Sequence, residues 1–265
     1  MIRKNLLKEK LRSGGVALGT FVKFSDPASV EILALSGLDF FVLDNEHVML
    51  SRESIVNIIR AADASAITPI IRVRKNSDVE ILQVLDSGAL GVMVPQVNSA
   101  SEAELCVQRV KYYPRGSRGY APTHRAAGYG SIDPAEYAEI SNRETFIACY
   151  CETREAVEAL DEILKTPDID VIFIGPMDLS QSYGVTGKPK TPVVADCIET
   201  IIKKVKASGK APGIIASDAA EAKQWADKGV RFITISSDQG MILNAARSHV
   251  NKFHTLVGES AISSN

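Results

Sequence analysis

The chain has 265 residues, of which 45% are hydrophobic and 23% are charged, and its formal net charge is −2. This composition provides a large core and offers no basic surface for nucleic acid or an anionic membrane. No apolar run is long enough to span a bilayer, and the basic N-terminus lacks the apolar core of a signal peptide. The four cysteines show no Cys-x-x-Cys spacing, so we expect reduced thiols and a cytoplasmic protein.

Short apolar runs alternate with amphipathic segments along most of the chain. A helix is predicted around residues 5–12, and Asp26-Pro27 begins the next one as an N-cap followed by proline. Capping boxes at Ser77 and Ser101 begin two more helices, and another covers residues 153–164. The predicted strands, some with their following turn, are residues 16–22, 40–43, 68–74, 91–96, 146–152, 171–178, 212–216 and 231–236.

Eight strands that alternate with helices are typical of a closed (β/α)₈ barrel, an α/β fold. An open doubly wound sheet is the competing fold, but no G-x-G-x-x-G follows the first strand. No linker or composition shift divides the chain. We therefore predict one barrel domain over residues 1–265, with a frayed tail over residues 258–265.

Ionisable residues follow the strands of this predicted barrel. The run Phe40–Leu43 leads directly into Asp44-Asn45-Glu46-His47, and a strand buried on both faces could not hold these charges unpaired. They must lie at its carboxyl end, where barrels bind ligands. The alternative is that they only cap the next helix. Other polar residues at strand ends are Arg72, Gln96, Glu152, Asp178, Ser217 and Asp238.

The fifth strand shows which residues face the barrel interior. By period-two alternation, Tyr150 and Glu152 share one face, while Cys149 and Cys151 share the other. Glu152 and Asp178 end neighbouring strands and form an oxygen-donor pair of the kind that binds Mg²⁺ or Mn²⁺. Each could instead be a helix N-cap.

Several motifs occur in a characteristic order. They are Asp44-x-Glu46-His47, Ile71-Arg72, Glu152-Thr153-Arg154-Glu155-Ala156, Gly175-Pro176-Met177-Asp178-Leu179-Ser180 and Lys210-Ala211-Pro212-Gly213. Together they resemble the metal-dependent 2-oxo-acid aldolases of the HpcH/HpaI family over about residues 14–253. No single motif decides the resemblance; the ordered set is specific.

The resemblance implies a barrel of the phosphoenolpyruvate/pyruvate type that assembles as a homo-oligomer, a hexamer or trimer of dimers, and exchanges its C-terminal helix. It implies cleavage of a 4-hydroxy-2-oxo acid to pyruvate and an aldehyde through a metal-stabilised enolate, and a role in the breakdown of aromatic compounds. The implied cofactor is a divalent metal (Mg, Mn or Co) on Glu152 and Asp178. His47 is the implied base, oriented by Asp44, with Arg72 beside the substrate. The expected substrate contacts are Arg72, Gly175, Pro176, Met177, Tyr150 and Ile214.

Two residues depart from the family pattern. Tyr150 stands where the family usually has glutamine, and Phe21 stands where it often has tryptophan. An altered pocket is one interpretation, and a conservative repacking is the other. Lys23 and Lys75 are the lysines at strand ends, and neither lies in the buried apolar run that would suit a Schiff base.

Two other functions stay open at this level. One is a CoA-ester lyase of the citrate or malyl type, although no basic extension for CoA is visible. The other is a non-catalytic barrel that binds a metabolite. A further hypothesis concerns the long segment from Arg115 to about Ile140, where Arg118 or Arg125 could bind a substrate carboxylate in a neighbouring subunit; the alternative is that this loop only pads an interface.

Overall fold

The computed structural model of the chain describes residues 1–258, and within them eight parallel strands close into a barrel in sequence order. The strands are β1 (Ala17–Val22), β2 (Phe40–Asp44), β3 (Thr68–Arg72), β4 (Gly91–Val94), β5 (Phe146–Cys151), β6 (Val171–Ile174), β7 (Ala211–Ala216) and β8 (Phe232–Ser237). The predicted (β/α)₈ barrel is confirmed. The predicted frayed tail lies outside the described residues, apart from Gly258, which ends the last helix.

Helices surround the barrel and connect its strands. They are α1 (Leu6–Arg12), α2 (Pro27–Leu35), α3 (Arg52–Ala64), α4 (Asp78–Asp86), α5 (Ala100–Val110), α6 (Pro134–Glu144), α7 (Arg154–Glu158), α8 (Leu160–Ile163), α9 (Pro176–Ser182), α10 (Pro192–Ala207), α11 (Ala219–Asp227) and α12 (Asp238–Val257). Within residues 1–258, none combines the length and apolar character required to cross a bilayer.

Phenylalanine rings fill the interior of the barrel. Phe232 stacks on Phe40 and Phe146, with ring centroids 4.1 and 5.6 Å apart, and meets Phe173 edge-on. Each fully buried ring contributes roughly 1.5–3 kcal/mol of transfer free energy. Glycine makes room for them: a Cβ at Gly19 would lie 2.5 Å from the ring of Phe40. The barrel is therefore a packed core that leaves space only at its ends.

The N-terminal helix closes one of those ends. Leu7 of α1 is buried with the interior side chains. Asn5, its N-cap, donates from its side-chain amide to the carbonyl oxygens of Leu90 and Glu144. Lys8 donates to the carbonyl oxygen of Thr145 at 2.8 Å. The cavity that can receive a ligand must therefore lie at the opposite end, where the strands terminate.

Two helix boundaries differ from the sequence prediction. The helix expected over residues 153–164 is two short helices separated at Ala159. The capping box predicted at Ser101 instead lies at Ser99, whose hydroxyl oxygen accepts the backbone N–H of Glu102. Both serines are followed three residues later by glutamate, so the sequence pattern alone fits either register.

The segment after residue 115 contains a helix that the sequence analysis missed. Helix α6 begins at Pro134, and the Asp133 carboxylate accepts the N–H groups of Ala135 and Glu136, both at 3.0 Å. This is the same signal, an N-cap aspartate followed by proline, that correctly predicted the helix after Asp26.

The arginines of that segment bind within their own subunit. The Arg118 side chain is 1% exposed, pairs with Asp86 and lies over the ring of Tyr112 at 4.7 Å. Arg125 donates to Asp63 at 2.8 Å. Asp63 and Asp86 lie near the carboxyl ends of α3 and α4, at the closed end of the barrel. The hypothesis that Arg118 or Arg125 binds substrate in a neighbouring subunit stays a prediction, and the pairing of both guanidinium groups with aspartates of their own subunit counts against it.

Candidate active site

A cavity of about 400 Å³ opens at the carboxyl ends of the strands. Of the residues predicted to form the site, it is lined by His47, Arg72, Tyr150, Gly175, Pro176, Met177 and Asp178. Phe21, Lys23, Phe173, Ile215, Ser236 and Ser237 complete the lining. The cavity thus lies at the end of the barrel where the site was predicted, and about half of its wall consists of residues predicted for the site.

A buried ion pair lies at the base of this cavity. Asp44 ends β2 and Arg72 occupies the paired position of β3. The guanidinium donates from Nε to Oδ1 of Asp44 at 3.1 Å and from Nη2 to Oδ2 at 2.6 Å. Burial alone would raise the pKa of Asp44, but the hydrogen bonds and charge of Arg72 outweigh it and hold that pKa below its ordinary value. The pair is therefore ionised at neutral pH.

Aromatic rings enclose the remaining faces of the guanidinium. Nη1 of Arg72 donates to the hydroxyl oxygen of Tyr150 at 3.1 Å. The guanidinium carbon lies 5.0 Å from the ring centroid of Phe21 and 5.6 Å from that of Tyr150. Burial raises the pKa of Tyr150, so its phenol stays protonated. As predicted, Tyr150 faces the barrel interior, while Cys149 and Cys151 pack in the outer layer against the helices.

His47 lies at the rim of the cavity, and its side chain is 57% exposed. Its Nε2 atom lies 3.9 Å from Oε2 of Glu46, which in turn lies 3.3 Å from Nη1 of Arg72. Asp44 was expected to orient the imidazole. Within the described residues its carboxylate instead accepts the backbone N–H of His47, at 3.0 Å, and that of Glu46. That expectation needs correction: Asp44 fixes the turn that carries His47, and the imidazole faces Glu46.

Glu152 follows β5 and is 5% exposed. Its Oε1 atom accepts the backbone N–H of Gln96 at 2.8 Å. Gln96 itself adopts a left-handed backbone conformation, with φ 52°. Burial, and after it the charges of Asp178 and Glu46, raise the pKa of Glu152 to about 7 against the effect of that hydrogen bond. The carboxylate thus lies in surroundings that favour its neutral form unless a cation is near.

Gly175 brings Glu152 and Asp178 together. A Cβ atom at Gly175 would lie 3.0 Å from Oε2 of Glu152 and 3.3 Å from Oδ2 of Asp178, so both carboxylates approach the same point above bare backbone. Asp178 stands in the first turn of α9 and is exposed. Within residues 1–258, no group of three or more His, Cys, Asp or Glu could hold a metal ion. Two carboxylates that leave the other positions to water and substrate fit a hard divalent cation.

Three residues predicted at the site have other surroundings. Ile214 packs in the outer layer, and its neighbour Ile215 faces the cavity, so the prediction that Ile214 binds substrate is wrong by one residue. Ser217 donates to Glu221 at 2.7 Å. Asp238 accepts the backbone N–H of Lys23 at 2.9 Å and supports the loop after β1.

Three polar residues of the cavity wall were not identified as ligand contacts from the sequence. Lys23 follows β1, and Ser236 and Ser237 end β8. All three could have been identified, because a polar residue at the end of an apolar strand is the same pattern that identified Asp44. Lys23 was considered only as a Schiff-base candidate.

The raised pKa of Glu152 predicts how stability depends on pH. The pKa of Glu152 is 4.5 in the unfolded chain and about 7 in the folded one. Relative to high pH, the protonated carboxyl therefore stabilises the folded chain fully below pH 4.5, and this stabilisation is lost as the pH rises through 7. Metal-free Glu152→Gln should therefore be more stable than wild type at pH 8, by up to about 3 kcal/mol, and nearly equal at pH 4. Urea unfolding measures the difference. The exposed Glu155→Gln on α7 is the control, and equal pH slopes for Glu152→Gln and wild type would contradict the assignment.

Comparison with known proteins agrees with this geometry. The family model HpcH/HpaI aldolase/citrate lyase matches residues 17–245. The chain is 34% identical over 249 residues to 5-keto-4-deoxy-D-glucarate aldolase of Escherichia coli (strain K12), covering 94% of this chain and 96% of the relative.

Two solved structures superpose closely on this chain. An HpcH/HpaI aldolase/citrate lyase family protein from Burkholderia cenocepacia J2315 is 29% identical, with a TM-score of 0.90 over 95% of this chain and 100% of that one. Citrate synthase SbnG is 31% identical, with a TM-score of 0.87 over 96% and 99% of the two chains. The resemblance noted in the sequence is thus confirmed: the chain belongs to the HpcH/HpaI aldolase/citrate lyase family.

Proposed function

We propose that the chain is a divalent-metal-dependent aldolase that cleaves a 4-hydroxy-2-oxo acid to pyruvate and an aldehyde. One observation carries the proposal: Glu152 and Asp178 converge at Gly175, and Gly175 and Asp178 line the same cavity as the fixed guanidinium of Arg72. The family and the named relative make the chain a carbon–carbon lyase. This agreement disfavours the alternative of a non-catalytic binding barrel. The role in the breakdown of aromatic compounds stays a prediction.

The charges around the cavity support a divalent cation at this point. The carboxylates are Asp44, Glu46, Glu152 and Asp178, and the permanent cations are Arg72 and Lys23. When all are ionised, the site carries two negative charges in excess, which a divalent ion would balance. Such an ion, when bound, supplies Lewis-acid stabilisation of the negative charge that develops on the 2-oxo group. Mg²⁺, Mn²⁺ and Co²⁺ are the candidates.

The protein's own side chains divide the remaining work. Arg72 is held by Asp44 and Tyr150, so its position is fixed before substrate binds, and its charge favours a developing oxyanion or a carboxylate. His47 has an exposed imidazole at the rim and is the proposed base for the 4-hydroxyl proton. Pro176 and Met177 line the wall beside the carboxylate pair, where substrate would lie.

Condensation with a thioester is a second candidate, because the chain is 31% identical to a structure described as citrate synthase SbnG. Both reactions pass through an enolate, but citrate synthesis would form it from acetyl-CoA and add it to oxaloacetate, whereas the aldolase reaction forms it from pyruvate and adds it to an aldehyde. Two assays distinguish these activities. Thiol release from acetyl-CoA with oxaloacetate would indicate citrate synthesis. Pyruvate release from a panel of 4-hydroxy-2-oxo acids that includes 5-keto-4-deoxy-D-glucarate would indicate the aldolase.

The metal proposal predicts a chelator-sensitive enzyme without a covalent intermediate. EDTA should abolish pyruvate release, and added Mg²⁺, Mn²⁺ or Co²⁺ should restore it. Glu152→Gln and Asp178→Asn should lose metal affinity in calorimetry, because each removes one of the converging carboxylates, while Glu155→Gln should keep it. Borohydride reduction with pyruvate should leave the protein mass unchanged. An adduct on Lys23 or another lysine would overturn the mechanism.

The base assignment predicts a selective loss in His47→Ala. Metal affinity should persist, and cleavage should fall by about 10²–10⁴, the usual cost of losing a positioned base. Decarboxylation of oxaloacetate requires no hydroxyl deprotonation and should fall much less. Glu155→Gln, at an exposed position of α7 that does not line the cavity, is the control. Full cleavage activity in His47→Ala would show that another group removes the proton.

We also propose that the chain forms a homo-oligomer through its C-terminal helix. α12 contacts β1 and β8, yet an apolar stripe along it is exposed, including Ile242, Leu243, Val250, Phe253 and Leu256. Ile32 and Leu35 of α2 are exposed as well. Burying such surface against a second copy would remove its contact with water.

This assembly predicts that Phe253→Asp combined with Leu256→Asp dissociates the oligomer, because a charge would enter the buried contact. Sedimentation velocity of wild type and variant measures the change. Val79→Asp, at an exposed apolar position of α4, is the control and should leave the sedimentation coefficient as it is. A monomeric wild-type chain would contradict the proposal.

A further inference from the structure

We infer that Lys23 binds a terminal carboxylate on the part of the substrate that leaves as the aldehyde, so that the enzyme prefers acidic aldehydes. This inference rests on the proposed function and names the substrate class of the same site. It concerns the cavity wall formed by β1 and β8, to which the proposed chemistry assigns no role.

The order of the strands places Lys23 opposite the carboxylate pair. In a closed ring of eight strands, β1 lies across the barrel from β5. Glu152 follows β5 and Asp178 follows β6, whereas Lys23 follows β1. A 2-oxo acid whose oxo end lies at Glu152 and Asp178 must point its other end across the cavity. His47 follows the neighbouring strand β2 and lines the same cavity.

The ammonium group of Lys23 is available to a ligand. Its Nζ lies 3.7 Å from Oδ2 of Asp44, too far for a hydrogen bond. Asp44 already accepts two hydrogen bonds from Arg72 and two from backbone N–H groups. Among residues 1–258, Lys23 Nζ has no hydrogen-bond partner, and its side chain is 29% exposed. Its three donors can therefore turn to an anion in the cavity.

The backbone of Lys23 is fixed even though its ammonium group makes no hydrogen bond within the described residues. The Asp238 carboxylate accepts the backbone N–H of Lys23 at 2.9 and 3.0 Å and that of Phe24 at 2.9 Å. Asp238 is buried, so these charge-assisted hydrogen bonds hold the loop after β1 in place. A fixed loop limits the ordering that the lysine side chain must undergo when it binds.

The chemistry of this wall matches a carboxylate. The hydroxyl groups of Ser236 and Ser237 line the cavity on the neighbouring strand, and Ser237 already caps α12. One ammonium with a neighbouring hydroxyl balances a single negative charge and offers donors to two oxygens. Within the described part of the chain, the only other permanent cation that lines the cavity is Arg72, which already pairs with Asp44.

The test compares two aldehydes of equal length in condensation with pyruvate: succinic semialdehyde, which ends in a carboxylate, and butanal, which ends in a methyl group. Lys23→Met should lower kcat/KM for succinic semialdehyde by about 10- to 100-fold, the effect of losing a charge-assisted hydrogen bond, and for butanal by at most about 3-fold. Lys23→Arg should recover part of the preference, because it keeps the charge.

Lys75→Met is the matched control. Lys75 is exposed at the same end of the barrel but does not line the cavity. Its substitution by methionine removes the same positive charge without changing the cavity wall. Equal losses with both aldehydes in Lys23→Met, or the same selective loss in Lys75→Met, would overturn the inference.

A separate measurement distinguishes this inference from the proposed function. The aldolase proposal fails if the wild-type chain releases pyruvate from no 4-hydroxy-2-oxo acid of the panel and condenses pyruvate with neither aldehyde, and calorimetric binding of glutarate then decides the Lys23 site by itself. Weaker binding to Lys23→Met than to wild type supports the site, and equal affinities reject it.

Discussion

The paired charges of Asp44 and Arg72 determine the geometry of the whole cavity. They occupy matched positions on neighbouring strands and are joined by two hydrogen bonds in a nearly water-free environment. Removing one partner of such a pair typically costs about 3–5 kcal/mol, because the other charge stays buried. The same aspartate fixes the turn that carries His47, and the same arginine fixes the hydroxyl of Tyr150. One ion pair therefore positions the proposed base, the proposed oxyanion donor and the aromatic floor.

The other carboxylates have no such partner. Glu46 contacts Arg72, but burial still raises its pKa, and the pKa of Glu152 is raised to about 7. Gly175 allows Glu152 and Asp178 to approach each other where any side chain would separate them. A cluster of like charges without a counter-ion lowers the stability of the folded chain and raises its affinity for a cation. The destabilisation and the proposed metal affinity thus have the same origin.

The sequence predicted the barrel, its open end and most of the charged residues there, because strand–helix alternation and polar strand ends are local patterns. It predicted the inward face of β5 because Glu152 marks one face as polar. It failed by one residue on β7, where both Ile214 and Ile215 are apolar and a strand buried on both faces shows no alternation. The helix at Pro134 was predictable, since Asp133-Pro134 repeats the signal at Asp26-Pro27.

What the sequence could not provide is the pairing of its cations. Arg118 stands in a loop rich in glycine and proline and resembles a residue that is free to bind a ligand, yet Asp86 and Tyr112 enclose it. Lys23 follows an ordinary strand, yet its nearest carboxylate is already saturated by Arg72. The planar guanidinium binds Asp44 through two parallel hydrogen bonds, a geometry that a single ammonium cannot match, so competition for Asp44 favours arginine. The lysine that loses this competition is the cation left for the ligand, and only the folded arrangement of both identifies it.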